Sequence, residues 1–420
     1  MASLENRTGL APMAERYRRP DWVRRMNAMA DSVGGDARRF VPLDASELFR
    51  DAEGSLGPLS PCDFGDTQWR ERFAQLVHAV DRSSMHVVGR LMTRQELIRG
   101  LRTRWLLLRE VAANPRIESE RVTAPWIVTG PARSGTTILF ELLSLDPDLR
   151  APAAWEALHP LPRRPFGVGD ERIAWSECEQ ELWADVQPEF AAIHELRSDL
   201  PIECVTLTLP CFCGTHWSLV AQLEGWSLDI ATMYDFHRRF LQVLQHGAPE
   251  PTWLLKTPGH LMTLENLFTI YPDAWILQTH RDPAKTMPST VSTTAMVQWL
   301  RTDDVDVEAL AAAIEGAFTW ALNHSVEVRR DGTLPDRFVD VHFDRLMRAP
   351  VETLREAYAR MGRDLGPEHA ERIVAYLRDK PKGKFGVHRY SPEEWGFTAD
   401  GLRRALAPYV EHFGIALEDA

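Results

Sequence analysis

The chain is 420 residues long, 44% hydrophobic and 26% charged, with a formal net charge of −12 at pH 7, the balance of an ordinary globular protein. That acidity excludes a generic nucleic-acid binder, which needs a broad basic footprint, but it is compatible with a local basic pocket for a small polyanion. Five cysteines (Cys62, Cys178, Cys204, Cys211, Cys213) are an odd set in a long chain and argue against a disulfide framework. The N-terminus has no apolar signal core and no run of about 18 apolar residues follows, so a cytoplasmic protein with reduced thiols and no integral membrane segment is expected.

The length admits one large α/β domain with an appended element, or two domains. Up to about residue 66 the periodicity is weak. From Trp69 it becomes helical, with Trp69, Phe73, Leu76, Val77 and Val80 on one face. Thr93-x-x-Glu96 reads as a capping box for a second helix carrying Leu97, Leu101, Trp105 and Leu108, which Asn114–Pro115 ends. Residues 1–118 are therefore expected to form a helical N-terminal extension and 119–420 an α/β domain. In the latter, Trp126 to Thr129, Trp253 to Leu255 and Ala274 to Gln278 read as buried strands. Leu264 to Ile270, about Asp303 to Arg329, and Pro350 to Gly362 read as helical segments. Strands alternating with helices mean a parallel sheet covered on both faces, a P-loop-like three-layer fold.

The segment PWIVTGPARSGTTILFELLSLDP, from Pro125 to Pro147, is the most informative. A strand, a loop of small residues and a helix in succession aim backbone N–H groups and a helix N-terminus at a phosphate. Gly130 and Gly135 have Walker A spacing, yet Thr136 stands where a nucleotidase has Lys, and the cation has moved into the loop as Arg133. Ligands of an open parallel sheet sit at the carboxyl ends of its strands. Three such ends carry cations: Arg133, Lys256 after WLL, and Arg281 after WILQTH. Ser289, across DPAKTMPS, is placed to share a further phosphate with Arg281. Cys211-Phe-Cys213 with His216 lacks a second Cys/His pair at zinc spacing, so no metal is expected.

GPARSGTT, LLKTPGHL and THRDPAKTMPS, in this order, resemble the motifs of sulfotransferases that use 3′-phosphoadenosine 5′-phosphosulfate (PAPS). The closest likeness is to the bacterial and tyrosylprotein branch with Arg in the loop. The resemblance covers Pro125 to Ser289 and continues less specifically into KFGVHRY. It implies that Arg133, Ser134, Gly135, Thr136 and Thr137 grip the phosphosulfate end of PAPS, and that Arg281 and Ser289 hold its 3′-phosphate. Lys382, Lys384 and Arg389 are implied to supplement that 3′-phosphate site. Arg133 and Lys256 are the expected stabilisers of charge on the bridging oxygen, Lys also being able to donate a proton.

An alcohol acceptor needs a general base. His194 and Glu156 are the two candidates, His194 favoured because its ordinary pKa of about 6.5 needs little tuning; Glu195 and Glu203 stand behind them. The expected acceptor is a small or lipid-like molecule with a hydroxyl. Its pocket is expected between the Ala151–Pro165 loop and the segment around Ile193–Trp217, lined by Trp155, Phe166, Trp175, Trp183, Phe190, Phe212 and Trp217 with few charges. Two other readings stay open: a P-loop nucleotide kinase or NTPase, which wants a Lys at 136 and a Mg²⁺-binding acid, and a nucleotide-binding protein without turnover.

Overall fold

A computed structural model describes residues 18–56, 66–161, 171–192, 195–221, 223–380 and 390–418. The strands are β1 (Trp126–Thr129), β2 (Leu149–Arg150), β3 (Thr252–Lys256), β4 (Trp275–His280) and β5 (Phe338–His342). All pair in parallel, in the order β2-β3-β1-β4-β5. The first strand thus lies between the third and fourth, with Val128 opposite both Lys256 and Leu277. Chain direction across the sheet reverses at β1, and the loop leaving its carboxyl end emerges into the resulting crevice.

Alternate strand residues feed two cores, the pattern of a sheet buried on both faces. Ile127, Leu255 and Ile276 join one core with Trp69, Phe73, Leu101 and Trp105 of the N-terminal helices. Trp126, Val128, Leu254, Leu277, Val339 and Val341 join the other, with Leu139 and Leu143 behind the loop and Leu354 and Tyr358 further on. The axis of the first core is the helix α2 (Val87–Ala113), which follows α1 (Trp69–Arg82). At 27 residues α2 is about 40 Å long, and it is buried on most sides, as a helix through the middle of a domain must be. Its buried charges are matched: Arg90 pairs with Asp81, Arg99 with Glu179, Arg104 with Asp66, and Glu96 with Arg301.

Thr93 does not open a helix. It lies inside α2, buried, with its hydroxyl on the Met85 sulfur at 3.4 Å. The cap is His86, whose Nδ1 accepts from the Gly89 N–H at 2.9 Å, and the Val88 N–H goes to Asn27 Oδ1 at 3.0 Å. With those end donors satisfied, Glu96 is spent on tertiary pairing. β4 also extends beyond its expected end at Gln278, because His280 is held within the ladder to β5 and bonded to Asp340 (2.8 Å). The long amphipathic helix (Val307–Arg330) starts at Val307, where Asp306 accepts from the Ala309 N–H; Asp303 instead pairs with Arg19.

Candidate active site

The loop after β1 is shaped by close approach. Gly130 has φ +137°, and a Cβ there would lie 2.3 Å from Thr279 Oγ1 and 2.7 Å from the Thr279 carbonyl of β4, so only glycine fits. Ser134 turns its hydroxyl inward, to Thr279 Oγ1 and the Pro131 carbonyl, both at 2.5 Å. Its contribution to the loop is therefore to hold the turn. Gly135, with φ +95°, caps α3 (Thr136–Leu143), whose first turn holds buried Thr136 and half-buried Thr137. Arg133 is the exposed residue of the loop, at φ +64°, a backbone strain of a kind that gathers at functional sites.

Lys256 ends β3 with its side chain buried. Its ammonium donates to Thr137 Oγ1 at 3.2 Å and pairs with Glu203, while Glu203 Oε2 accepts from the Thr257 hydroxyl at 3.1 Å. Glu203 is delivered from far away by a short antiparallel zipper. Ala154 N–H donates to the Leu200 carbonyl, Trp155 N–H to Ser198 and Ile202 N–H to Pro152, around a bridge between Ala153 and Pro201. Sequence reasoning ranked Glu203 low, since nothing local reveals that 198–202 zips onto 152–155.

Glu156 is placed differently. One carboxylate oxygen accepts from Arg150 Nη2 and the other from the Ala153 N–H, both at 3.0 Å. That ties it to the start of its own short helix, Ala154–Leu158, and it does not line the cavity described next. A part-buried backbone N–H and a cation thus hold the carboxylate as an anchor of that helix. His194, Lys382, Lys384 and Arg389 lie outside the described residues.

Arg281, after β4, is a hub. Its Nε and Nη2 fork onto the Glu418 carboxylate at 2.7 and 2.8 Å, its Nη1 donates to the Arg133 carbonyl at 2.8 Å, and its guanidinium lies 3.9 Å from the Phe343 ring centroid. Asp282 beside it is a structural acid. It caps the helix α4 (Pro283–Trp299) through the Ala284 N–H, accepts from the Glu418 N–H and pairs with Arg403, whose guanidinium holds it below the usual carboxylate range. Ser289, on α4, is fully buried and its Oγ has no hydrogen-bond partner among the described residues.

A cavity of about 190 Å³ opens beside Lys256, Thr137 and Glu203. Trp183 and Phe190 line it as expected, with Leu158, Leu200, Val205 and Leu209. Phe212 and Trp217 do not line it; they are fully buried in the first core. Trp155 stacks under Arg172, Trp175 packs edge-on against His159, and Phe166 lies outside the described residues. The wall is also more charged than expected, holding Glu96, Arg99, Glu141, Glu179 and His216 besides the Lys256–Glu203 pair. His216 is turned to Glu96 rather than to the cysteines, and Cys211 and Cys213 face each other at 3.6 Å. Among the described residues no three His, Cys, Asp or Glu side chains gather as a metal site would require.

The sulfotransferase family model matches residues 125–367. The chain belongs to the sulfotransferase family. Among curated proteins, this sulfotransferase is 23% identical over 305 residues to the omega-hydroxy-beta-dihydromenaquinone-9 sulfotransferases Stf3 of Mycobacterium bovis and Mycobacterium tuberculosis. That match spans 66% of this chain and 74% of theirs. Among solved structures it resembles sulfotransferase STF9 from Mycobacterium avium, with a TM-score of 0.77 and 26% identity, covering 90% of this chain and 98% of that one. It also resembles STF1 from Mycobacterium tuberculosis, with a TM-score of 0.68 and 25% identity, covering 86% and 98%. The expected α/β fold, with a covered parallel sheet and helices preceding it, is the fold of this enzyme. No helix among the described residues is long and apolar enough to cross a membrane.

Proposed function

We propose that the enzyme moves the sulfuryl group of PAPS to a hydroxyl of a small or lipid-like acceptor. The observation that carries this reading is the meeting of Lys256, Thr137 and Glu203 on one cavity at the carboxyl edge of the sheet, next to the loop of Arg133. Two features suit a second phosphate. A carboxylate lies on Arg281 in the forked geometry that a phosphate also takes, and the Ser289 hydroxyl is buried without a partner among the described residues, which is costly unless a ligand completes it.

In this reading Arg133 and the backbone from Ser134 to Thr137 hold the phosphosulfate end, and Arg281 with Ser289 holds the 3′-phosphate, supplemented by Lys382 and Lys384. Bound PAPS supplies the sulfuryl group and a phosphate leaving group. Lys256 and Arg133 set fixed positive charge where negative charge grows, which is worth most in a water-poor site. Glu203 takes the acceptor hydroxyl proton. Its carboxylate is on the cavity, and the Lys256 and Thr257 donors hold it in place. A cavity of about 190 Å³ is below the usual range of about 300–1,000 Å³ for whole-ligand sites, so it suits the hydroxyl-bearing end of a longer molecule. The Stf3 relatives are named for an omega-hydroxy menaquinone derivative, and that agrees with a lipid-like acceptor bearing a terminal hydroxyl.

The test is transfer of radiolabelled sulfuryl from PAPS to a panel of apolar alcohols and phenols, with EDTA present, by the wild type and by Glu203→Gln, His194→Ala and Glu156→Gln. Activity lost in Glu203→Gln with donor binding intact supports the assignment. Activity lost only in His194→Ala moves the base to His194, and a strict need for Mg²⁺ favours the kinase reading.

A further inference from the structure

A second polar station stands on the wall of the same cavity. His216 lines it from the short helix Thr215–Val220, and Glu96 lines it from α2. The His216 Nε2 lies 3.2 Å from Glu96 Oε2, and both Glu96 oxygens accept from Arg301 Nη2 at 2.8 Å. Arg301 is locked in turn. It is fully buried, its carbonyl accepts from the His86 N–H at 2.9 Å, and α2 passes so close that a Cβ on Gly89 would lie 2.2 Å from that carbonyl oxygen. Trp217 packs edge-on against the His216 ring, with centroids 5.0 Å apart at 86°.

This arrangement fixes the tautomer. Arg301 keeps Glu96 ionised, its pKa held far below the usual carboxylate range, and an ionised carboxylate can only accept. Nε2 must therefore carry the proton it shares with Glu96. Burial keeps the imidazole neutral by lowering its pKa, so Nδ1 is left with its lone pair. Nδ1 makes no hydrogen bond among the described residues, and the His216 side chain that carries it is part of the cavity wall.

We infer that His216, oriented by Glu96 and Arg301, is a specificity residue whose Nδ1 accepts a hydrogen bond from a second hydroxyl or N–H of the acceptor, distinct from the hydroxyl that reacts beside Lys256. The inference rests on the proposed acceptor role of this cavity. It narrows the substrate class to molecules with an apolar body and two donor groups, a diol or an amino alcohol. The apolar wall of Trp183, Phe190 and Leu209 gains from the body, and the lone pair rejects a body without a donor, since a site built to bond a polar group discriminates strongly against the analogue lacking it.

The test compares matched probes, the three benzenedimethanols against the corresponding methylbenzyl alcohols, on the full chain without donor. Histidine ring ¹H–¹⁵N spectra should show His216 as the Nε2–H tautomer and should shift at Nδ1 with at least one dimethanol and with none of the mono-alcohols. With PAPS, kcat/KM should favour that dimethanol by tenfold or more. His216→Leu should cost the dimethanol tenfold or more beyond any loss on the mono-alcohol, erasing the preference, and His216→Gln should restore part of it. No shift with any dimethanol, an Nδ1–H tautomer, or equal loss on both alcohol classes in His216→Leu overturns the inference. A wild type that shows the shift but transfers sulfuryl to neither class instead overturns the proposed function and leaves the recognition site standing.

Discussion

The proposed donor side of the crevice and the proposed acceptor side are built on opposite plans. The donor side is one continuous stretch of chain: β1, the Gly130–Gly135 turn and the start of α3, with Lys256 and Arg281 at the ends of the flanking strands. The acceptor wall is assembled from parts that are remote in sequence, Glu96 meeting Arg301 across 205 positions and His216 across 120, with Glu203 reaching Lys256 across 53. On the donor side the glycine turn does most of the shaping and Arg133 projects from it, while Ser134, Lys256 and Arg281 are bonded into the scaffold. On the acceptor side the polar side chains are themselves part of the packing. A substitution in the exposed loop should therefore change rate alone, whereas one in the buried Glu96–Arg301 pair should change stability first.

The largest effect is expected at Glu96. Removing one partner of a buried ion pair leaves the other charge uncompensated and costs about 3–5 kcal/mol, so Glu96→Ala should lose roughly that much in urea unfolding. Because Arg301 depresses the Glu96 pKa from its ordinary 4.5, the wild-type contribution is complete above about pH 4.5 and is lost as pH falls toward the folded-state value. The stability gap between wild type and Glu96→Ala should shrink on acidification; a gap independent of pH would break the contrast.

Arg133→Ala is the converse case. The exposed loop cation should leave the unfolding midpoint unchanged and lower kcat by about 10²–10³, the loss for a transition-state donor. A variant that unfolds early, with its residual rate intact, contradicts the division of labour. Next in size is Arg281→Ala, which should weaken 3′-phosphoadenosine 5′-phosphate by about 1.5–3 kcal/mol, as for a charged hydrogen bond, and AMP hardly at all, read from the ligand-dependent rise in melting temperature. The smallest effect belongs to Glu418→Gln. Freed of its partly exposed ion pair, worth about 0–1 kcal/mol, Arg281 should bind the bisphosphate up to a few-fold more tightly by calorimetry.

This contrast also explains what could be read without coordinates. The loop, the three strand-end cations and the parallel sheet were legible, because β-branched runs, glycine spacing and strand-terminal charges are local signals. Lys256 stands out that way; its partner Glu203 ranks only behind His194 and Glu156, because the zipper of 198–202 on 152–155 leaves no periodic trace. Thr93 and Glu96 had the spacing of a cap, and only the presence of Arg301 tells that Glu96 belongs to the interior. Phe212 and Trp217 looked like pocket walls for the same reason. Aromatic composition cannot distinguish a core from a cavity, and both needed their neighbours.

The fork between Arg281 and Glu418 bears on the timing of a catalytic cycle. The Glu418 N–H is bonded to Asp282 and its carbonyl to Arg403, so the carboxylate is moored beside the guanidinium rather than offered from solution. If Arg281 holds the 3′-phosphate, an arriving donor and this carboxylate are alternatives for one fork, and a departing product does not leave a bare cation behind. An anion that is always at hand lowers the cost of letting go. Such an exchange trades affinity for turnover, and it would show as a faster off-rate for the bisphosphate in the wild type than in Glu418→Gln, with on-rates nearly alike.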